Sequence, residues 1–341
     1  MASLRERLEA SWARRGPLAW LLLPASVLYG VLTGLWRGLY RIGLLRAERL
    51  PVPVVVVGNL VAGGAGKTPT VMAVVALLRL RGLAPGIVSR GYGGSASGPL
   101  PVALDTPAAV CGDEPLLLHL RTGAPVVVGR DRVAAGRELL RLHPQVDIIV
   151  CDDGLQHLAL ARDAQVIVFD ERGVGNGWLL PAGPLREPLP PWAPPRSVVV
   201  YNAAAPSTPL PGTLALRRLA GANSLADWWA GRPADAGTLH ALAARALLAA
   251  AGVARPGRFF AMLRANGLSI TELPLPDHHD YAALPWHAGT ADVVLTEKDA
   301  VKLPPRTALG ATRVWVATLD FQLDAAAEAA LLQLLPKHAE D

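Results

Sequence analysis

The sequence contains few cysteines, few lysines and few charged residues of any kind. Its 341 residues include two cysteines, four lysines and 18% charged side chains, whereas 51% are apolar. Cys111 and Cys151 form no CxxC or histidine-rich pattern, which excludes a zinc site and a disulfide framework and favours the cytosol. An apolar chain of this length is globular and long enough for about two domains.

Positive charge is in excess only near the N-terminus. Residues 1–49 contain eight arginines and three glutamates, which accounts for the whole net charge of +5. The other 292 residues carry 25 basic and 25 acidic groups, since the totals are 33 and 28. A balanced remainder offers no electrostatic basis for binding nucleic acid, and we expect no such partner. Because lysine is scarce, a lysine within a motif is conspicuous.

An uncharged segment of 21 residues separates Arg15 from Arg37. As a helix it would be about 30 Å long, close to the thickness of the hydrocarbon core of a bilayer. Aromatic side chains are spread along it and arginines flank both ends, as at a lipid headgroup region. No signal-peptide cleavage site follows it. We predict a membrane-associated helix within residues 1–49 that lies in the interface or spans the bilayer. The alternative is a buried helix of a soluble domain.

From residue 52 onward, short apolar runs alternate with helical patterns. The runs are too short and too apolar for half-exposed strands, and we predict buried strands at 52–57, 125–129, 147–152, 165–170 and 197–201. Beyond residue 212 the Ala-rich segment 237–251 is predicted to be helical, and 291–296 and 313–318 are predicted strands.

The alternation predicts an α/β fold class with a P-loop NTPase-like, mostly parallel sheet. The membrane-associated helix precedes this sheet, and a second, smaller α/β domain follows it. A proline-rich region that ends at Pro211 marks the boundary. The predicted domains are therefore 1–49, 50–211 and 212–341, the last of which is expected to close over the active site.

The strongest motif is VVVVGNLVAGGAGKTPT at residues 54–70, where a buried strand leads through a glycine-rich turn into a helix that starts with GKT. Such glycines let backbone N–H groups converge on phosphate oxygens, while the lysine reaches the terminal phosphates and the threonine hydroxyl ligates Mg²⁺. The predicted nucleotide-binding residues are Val61, Ala62, Gly63, Gly64, Ala65, Gly66, Lys67 and Thr68. Val61 stands where the strict pattern has glycine. The alternative is a glycine-rich turn that binds nothing.

A carboxylate at the end of a neighbouring strand is the second requirement of such a site. DIIVCDDG at residues 147–154 supplies Asp152 and Asp153. Adjacent residues on a strand point to opposite faces, so one of the pair is expected to touch the metal. The sequence leaves open which of the two it is, and the alternative is a pair of loop carboxylates. With Thr68, these residues form the predicted Mg²⁺ site.

Seven motifs follow one another in a fixed order along the chain. They are GNLVAGGAGKTP (58–69), SRGYGG (89–94), CGDEP (111–115), CDDGLQH (151–157), GNGWLLPAGPLREP (175–188), PDHHDY (276–281) and TEKDAVKL (296–303). This combination resembles the tetraacyldisaccharide 4'-kinase family, the lipid A 4'-kinases of Gram-negative bacteria. That family usually has serine or threonine at the position of Val61, so a hydroxyl that could touch a phosphate is missing here.

The resemblance implies transfer of the γ-phosphate of ATP, with Mg²⁺, to the 4'-hydroxyl of a tetraacyl glucosamine disaccharide 1-phosphate, which gives lipid IVA. The implied location is the cytoplasmic face of the inner membrane, with the N-terminal helix as a peripheral contact or an anchor. The implied partners are the anionic glycolipid substrate and the membrane surface, with no obligate protein partner.

By the same resemblance, Asp113 of GDEP is the base that accepts the proton of the sugar hydroxyl, and His278 pairs with it from the second domain. We expect the pair to form only when the cleft between the domains closes. From the residues alone, Asp113 is instead a helix N-cap, because Asp-Glu-Pro precedes an apolar run. The adjacent His278 and His279 have poor spacing for metal ligands.

Five further residues are predicted to contact the transferring phosphoryl group or the substrate, and three of them have a structural alternative. Arg186 is predicted to be catalytic, since a guanidinium forms paired hydrogen bonds with phosphate, and Glu187 beside it is predicted to contact substrate. Asn176 is a predicted substrate contact or a left-handed turn residue. Arg90 is a predicted phosphate contact or a surface arginine. His157 positions water or substrate, or is structural.

The motif TEKDAVK at residues 296–302 is interpreted as structural. Thr296 and Asp299 have the spacing of a helix capping box, and Lys298 and Lys302 lie one helical turn apart.

Two other functions remain open. One is a membrane-attached P-loop ATPase or GTPase that controls a partner and hydrolyses nucleotide without added lipid. The other is a nonenzymatic membrane protein with a degenerate phosphate loop, for which Val61 is the only argument.

Overall fold

The computed structural model of the chain describes residues 4–336. The outermost residues of the predicted domains 1–49 and 212–341, namely 1–3 and 337–341, lie outside the described residues. The chain forms two compact units, which we call unit 1 and unit 2. Unit 1 comprises Met1–Ser89, Asp131–Ala215 and Leu323–Asp341, and unit 2 comprises Arg90–Arg130 and Leu216–Gln322. The division at residues 49 and 211 stays a prediction.

Helices and strands alternate along the described residues. The helices are α1 (Leu4–Ser11), α2 (Pro17–Arg41), α3 (Lys67–Leu80), α4 (Ala108–Cys111), α5 (Asp113–Thr122), α6 (Arg132–Leu142), α7 (Leu225–Trp229), α8 (Ala236–Ala241), α9 (Pro256–Ala265), α10 (Glu297–Ala300) and α11 (Ala325–Leu334). The strands are β1 (Val54–Gly58), β2 (Pro85–Ser89), β3 (Leu100–Pro101), β4 (Val126–Val128), β5 (Ile148–Asp152), β6 (Ala164–Asp170), β7 (Ser197–Asn202), β8 (Thr213–Leu214), β9 (Leu216–Ser224), β10 (Leu247–Ala251), β11 (Ile270–Pro274), β12 (Asp292–Thr296) and β13 (Arg313–Gln322).

A parallel sheet forms the core of unit 1. Its strands lie in the order β2-β5-β1-β6-β7-β8, and the neighbouring pairs are parallel. All residues of β1 and β5 are buried, as expected for strands whose two faces are both covered by helices. The predicted α/β class with a mostly parallel sheet is confirmed.

The register of the central strands places polar residues at one edge of this sheet. Val57 of β1 pairs with Asp152 of β5, and Gly58 pairs with Ile167 of β6. The carboxyl ends of β1 and β5 therefore lie side by side, and β1 leads directly into the glycine-rich turn. In open parallel sheets, ligands bind beyond this edge.

Unit 2 has a sheet of its own in the order β11-β10-β12-β13-β9. The strands β11, β10, β12 and β13 are parallel to their neighbours, and β9 is antiparallel to β13. A short antiparallel pair of β3 and β4 also belongs to this unit. The second α/β unit expected from the sequence is thus present.

The helix predicted at 237–251 is wrong over its second half. Helix α8 ends at Ala241, and Leu247–Ala251 forms β10 in the sheet of unit 2. Ala249, Ala250 and Ala251 have no exposed surface. Strand pairing on both sides, with buried contacts to α9, outweighs the helical preference of alanine, although alanine is the best helix former.

Helix α2 is the N-terminal apolar helix for which the sequence predicts membrane association. Among the described residues it is the one helix that is long and apolar enough to cross a membrane, by length and composition. Its most apolar window is only 11% buried, unlike the core helix that was the alternative. The Ser26 hydroxyl accepts from the Ala182 N–H and donates to the Leu179 carbonyl, both at 2.8 Å. One side of α2 thus docks on the loop that contains GNGWLLPAGPLREP.

Candidate active site

The phosphate loop runs from the end of β1 at Gly58 to the start of α3 at Lys67. Gly66 precedes the helix with a φ of +94°, in the left-handed region, and no side chain caps the first turn. A helix start of this kind presents backbone N–H groups and a positive dipole end to an anion. The Asn202 amide at the end of β7 donates to the Ala65 carbonyl at 3.1 Å and holds the loop in place.

Gly66→Ala is expected to weaken ATP binding by about tenfold, or about 1.4 kcal/mol of binding free energy. The added Cβ would lie 2.1 Å from the Asn202 amide nitrogen, so the loop would have to move away from β7. Calorimetric titration with ATP measures the loss. Gly82→Ala is the matched control, because Gly82 has a φ of +78° but no atom within 4 Å of an added Cβ. Equal ATP affinities of the two variants would contradict the expectation.

The position of Val61 is set by backbone pairing between the phosphate loop and the proline-rich segment. Its side chain is 1% exposed, and its backbone forms an isolated antiparallel bridge with Leu185. The N–H of Ala62 donates to the Pro184 carbonyl at 2.7 Å. The Val61 side chain therefore packs inside unit 1, and the backbone around it is fixed by these hydrogen bonds rather than by a side-chain hydroxyl.

Lys67 lies among polar groups at the carboxyl edge of the sheet. Its Nζ donates to Asn59 Oδ1 at 3.3 Å and lies 3.7 Å from Asp153 Oδ1. The same Asp153 oxygen accepts from Arg186 at 2.9 Å. Burial raises the pKa of Asp153, but the charges of Lys67 and Arg186 outweigh burial and hold the pKa below its ordinary value. The predicted residues Lys67, Asp153 and Arg186 are thus brought together.

Asp152 is the last residue of β5 and is 2% exposed. Its Oδ2 accepts a hydrogen bond from the Ser89 hydroxyl, at the end of β2, at 2.9 Å. Mg²⁺ prefers oxygen ligands, and it commonly takes one or two from protein while phosphates and water supply the others. The Asp152 carboxylate and the Thr68 hydroxyl are donors of this kind. Within residues 4–336, no group of three or more His, Cys, Asp or Glu residues could hold a metal by itself.

Arg172 is a residue of this site that the sequence interpretation did not include. Its guanidinium donates to the buried Asp170 carboxylate at 2.9 Å and to the Gly64 carbonyl of the phosphate loop at 3.0 Å. Asp170 ends β6, the neighbour of β1, so Arg172 follows a strand end of the kind that lines such sites. That position was the one signal that could have identified it.

Asp113 and His278 form a hydrogen-bonded pair in unit 2. Asp113 Oδ2 lies 2.9 Å from His278 Nδ1, and the Asp113 side chain is 6% exposed. Both residues belong to the same compact unit, so the expectation that the pair needs closure between two domains is wrong. The segment Arg90–Arg130 folds with Leu216–Gln322 and brings the two residues together without such a movement.

The Asp113 carboxylate is ionised by its surroundings. Burial raises its pKa, but the hydrogen bond to His278 and the charges of Lys298 and Lys302 lower the pKa below its ordinary value. An ionised carboxylate accepts hydrogen bonds only, so Nδ1 of His278 is the donor. The helix N-cap is Gly112, with no side-chain cap, and Asp113 is the first residue of α5. The alternative that Asp113 is the helix N-cap is therefore wrong by one residue.

Glu187 and Asn176 lie on the loop that docks on α2. Glu187 pairs with Arg37 of α2 at 2.9 Å and accepts from the Gln156 side chain at 2.8 Å. The Asn176 amide donates to the Ala182 carbonyl at 2.8 Å and accepts from the Trp178 N–H at 3.0 Å. Asn176 thus shapes its own loop, and the substrate contacts of both residues stay predictions.

His157 and Arg90 follow Gln156 and Ser89 in the chain, two residues that are hydrogen-bonded to Glu187 and Asp152. His157 lies in the turn after Asp153, and its carbonyl accepts from Arg162 at 2.8 Å. Arg90 is exposed at the start of unit 2. Their roles at a substrate also stay predictions.

The structural interpretation of TEKDAVK was incomplete. Thr296 is the N-cap of α10 and accepts from the Asp299 N–H at 3.2 Å, as the capping spacing predicted. However, Lys298 Nζ lies 3.4 Å from His278 Nε2, and Lys302 Nζ lies 3.9 Å from Asp113 Oδ2. Two of the four lysines of the chain therefore border the Asp113–His278 pair.

Comparisons with known proteins agree on one family. The family described as tetraacyldisaccharide-1-P 4'-kinase matches residues 18–336. The tetraacyldisaccharide 4'-kinase of Methylibium petroleiphilum is 57% identical over 98% of this chain and 96% of its own. That of Leptothrix cholodnii is 55% identical over 99% of this chain and 98% of its own.

A solved structure matches the fold over nearly the whole chain. The crystal structure of LpxK from Aquifex aeolicus in complex with ATP has a TM-score of 0.75 and 27% sequence identity, and the match covers 94% of this chain and 100% of that one. These matches confirm the resemblance found in the sequence motifs, and with it the prediction of a kinase that uses ATP and Mg²⁺. The chain belongs to the tetraacyldisaccharide-1-P 4'-kinase family.

Proposed function

We propose that this protein transfers the γ-phosphate of ATP to the 4'-hydroxyl of a tetraacyl glucosamine disaccharide 1-phosphate and so forms lipid IVA. The observation that carries the proposal is the hydrogen-bonded pair of the buried Asp113 and the partly exposed His278, in a chain that also has a phosphate loop. A nucleotide hydrolase needs only to position a water molecule. A kinase also needs a group that accepts the proton of the sugar hydroxyl, and this pair supplies one.

Unit 1 supplies the nucleotide half of the reaction. Lys67 and Arg186 place two positive charges beside Asp153, where they can also bind and orient phosphate oxygens. The Asp152 carboxylate and the Thr68 hydroxyl would hold Mg²⁺. When bound, the metal neutralises charge on the phosphates. Arg172 acts indirectly. It holds the Gly64 carbonyl and so helps to fix the orientation of the backbone N–H groups of the phosphate loop.

Unit 2 supplies the acceptor half. Asp113 takes the proton as the O–H bond of the sugar hydroxyl breaks and the oxygen bonds to the γ-phosphorus. The bond from that phosphorus to the bridging β–γ oxygen breaks, and ADP leaves with the electron pair. His278 holds the Asp113 carboxylate through its Nδ1–H and stabilises it in one orientation.

The acceptor is an anionic glycolipid, and the proposed location of the enzyme is the cytoplasmic face of the inner membrane. Support comes from α2, whose outer surface carries large exposed apolar side chains, among them Trp20, Leu28, Leu32 and Leu35. The arginine excess of residues 1–49 lies around the same helix and would face anionic headgroups. The opposite side of α2 docks on the loop of Leu179 and Ala182 through Ser26, which favours a helix lying in the interface. We propose no obligate protein partner and no nucleic-acid partner.

The proposal is tested with purified protein in detergent, labelled ATP and the disaccharide 1-phosphate lipid. We expect label to appear in the lipid, with little release to water when lipid is left out. A membrane-attached ATPase or GTPase would release phosphate at the same rate with and without lipid, and that result would overturn the kinase proposal.

Replacing Leu28 and Leu32 together with glutamate is expected to lower the affinity for anionic phospholipid vesicles at least tenfold, that is, by about 1.4 kcal/mol or more. Both side chains are more than half exposed on α2 and would be transferred into the interface. Vesicle flotation measures the effect. Leu80→Glu is the control, because Leu80 is 84% exposed on α3. Equal flotation of both variants would show that α2 is not the membrane contact.

A further inference from the structure

Lys298 occupies a position beside His278 that its helical spacing alone does not explain. Its Nζ lies 3.4 Å from His278 Nε2, 2.9 Å from Glu114 Oε1 and 3.5 Å from Asp277 Oδ1. The side chain is 18% exposed. These three contacts hold the mostly covered ammonium against the histidine ring.

The contacts determine which nitrogen of His278 carries the hydrogen. Nδ1 faces the ionised Asp113 carboxylate and must donate. A lysine ammonium has three donors and no acceptor, so Nε2 must be the unprotonated nitrogen that accepts from Lys298. Asp277 Oδ2 also faces Nε2 but lies farther away, at 3.8 Å, so the two nearer neighbours select the tautomer with its hydrogen on Nδ1.

Lys298 itself stays charged. Burial lowers its pKa, but the carboxylates of Glu114, Asp113 and Asp277 outweigh burial and raise the pKa above the ordinary value. Because the Lys298 ammonium occupies Nε2 as a donor, the Asp113 carboxylate is the group of the pair that can accept a proton from substrate.

We propose that Lys298 is a positioning residue that donates to Nε2 of His278 and so holds the ring with its Nδ1–H directed at Asp113, the group that accepts the proton of the sugar hydroxyl. This inference rests on the proposed function, because it refines the role of the same proton-accepting pair. Lys298 acts through His278 and Asp113 and contacts neither the nucleotide nor the reacting oxygen in this role.

Other titratable groups face the pair as well. They are Tyr92, whose ring packs on His278, Cys111, Glu114, Asp277, and Lys302. Lys302 is the second cation, but its Nζ lies 3.2 Å from Asp299 and 3.9 Å from Asp113. Asp299 offsets much of its charge, so the effect of Lys302 on the pair is smaller than that of Lys298.

The test replaces Lys298 with methionine, which keeps an unbranched chain of similar length, and with arginine, which keeps the charge. The dependence of kcat/KM on pH is measured for both variants. The base works when deprotonated, so activity falls as the pH drops through its pKa. Loss of the nearby cation raises that pKa. In Lys298→Met we expect the acid limb to move to higher pH by about one unit, and in Lys298→Arg to stay in place.

A second readout does not require activity. Nitrogen NMR of the histidine rings, with His278→Gln used for assignment, reports which ring nitrogens carry hydrogen. Wild type is expected to show hydrogen on Nδ1 and none on Nε2, and Lys298→Met is expected to show a mixture of the two tautomers. Lys302→Met is expected to give a smaller change in both readouts.

The control is Arg264→Gln, which removes an exposed ion pair with Glu272 in the same unit and should leave both readouts unchanged. If Lys298→Met lowers activity equally at all pH values and leaves the ring nitrogens as in wild type, Lys298 is merely structural and the inference is overturned. If the wild type phosphorylates no lipid, the proposed function fails, while the NMR result still decides the role of Lys298.

Discussion

Replacing Asp113 with asparagine is expected to lower lipid phosphorylation by about 10³-fold and to leave ATP binding unchanged. Asparagine has nearly the same shape, but it cannot take the proton of the sugar hydroxyl. ATP binding is spared because Asp113 belongs to unit 2, whereas the phosphate loop belongs to unit 1. Initial rates of lipid labelling and calorimetric titration with ATP measure the two effects.

Asp235→Asn is the matched control for that variant. Asp235 caps α8 through hydrogen bonds to the N–H groups of Gly237 and Thr238. Asparagine caps helices equally well, so the control loses one carboxylate of unit 2 without losing its structural role. Thermal melting of both variants excludes unfolding as the cause. If Asp113→Asn retains more than about a tenth of wild-type activity, Asp113 is not the base, given the usual size of such effects.

The nucleotide half of the site could be predicted from the sequence because it is local in the chain. β1, the glycine-rich turn and α3 are contiguous in the chain. The valine run of β1 is too short for a buried helix, so it predicts a buried strand. The prediction of Asp152 required one further inference, that β5 ends beside β1. The parallel pairing of the two strands bears this out. The local sequence pattern and the geometry of a parallel sheet were therefore sufficient to predict these residues.

The acceptor half could not be derived in this way. Asp113 and His278 are 165 residues apart, and no periodicity or spacing connects them. Only the order of motifs suggested the pair. The expected need for domain closure was wrong because residues 90–130 fold with the second unit, a long-range outcome that no local pattern encodes.

Two misjudged segments have the same physical origin. Leu247–Ala251 has the composition of a helix but is a central strand, because neighbouring strands pair with it on both sides. Lys298 was interpreted as structural from its helical spacing, but α10 is only four residues long and the Lys298 ammonium contacts Glu114 and His278. In both cases tertiary contacts outweigh local preference.

Lys67→Met is the second large effect that we expect, with a loss of phosphoryl transfer of about 10³-fold. Methionine fills the space of the lysine chain but removes the ammonium that lies 3.3 Å from Asn59 and 3.7 Å from Asp153. The charge that develops on the transferring phosphoryl group then loses a stabilising cation. Single-turnover measurements at saturating ATP separate this loss from weaker binding.

The loss of activity in Lys67→Met can be attributed to Lys67 itself, because a second cation remains beside Asp153. Arg186 still pairs with Asp153 in the variant, so the loop and the carboxylate keep one cation and the fold is expected to survive. Arg79→Met on the same helix is the control, because Arg79 is exposed near the far end of α3. If Lys67→Met raised only the KM for ATP and left the single-turnover rate unchanged, Lys67 would bind the nucleotide equally in the ground state and the transition state. The developing charge would then be stabilised by Arg186 instead.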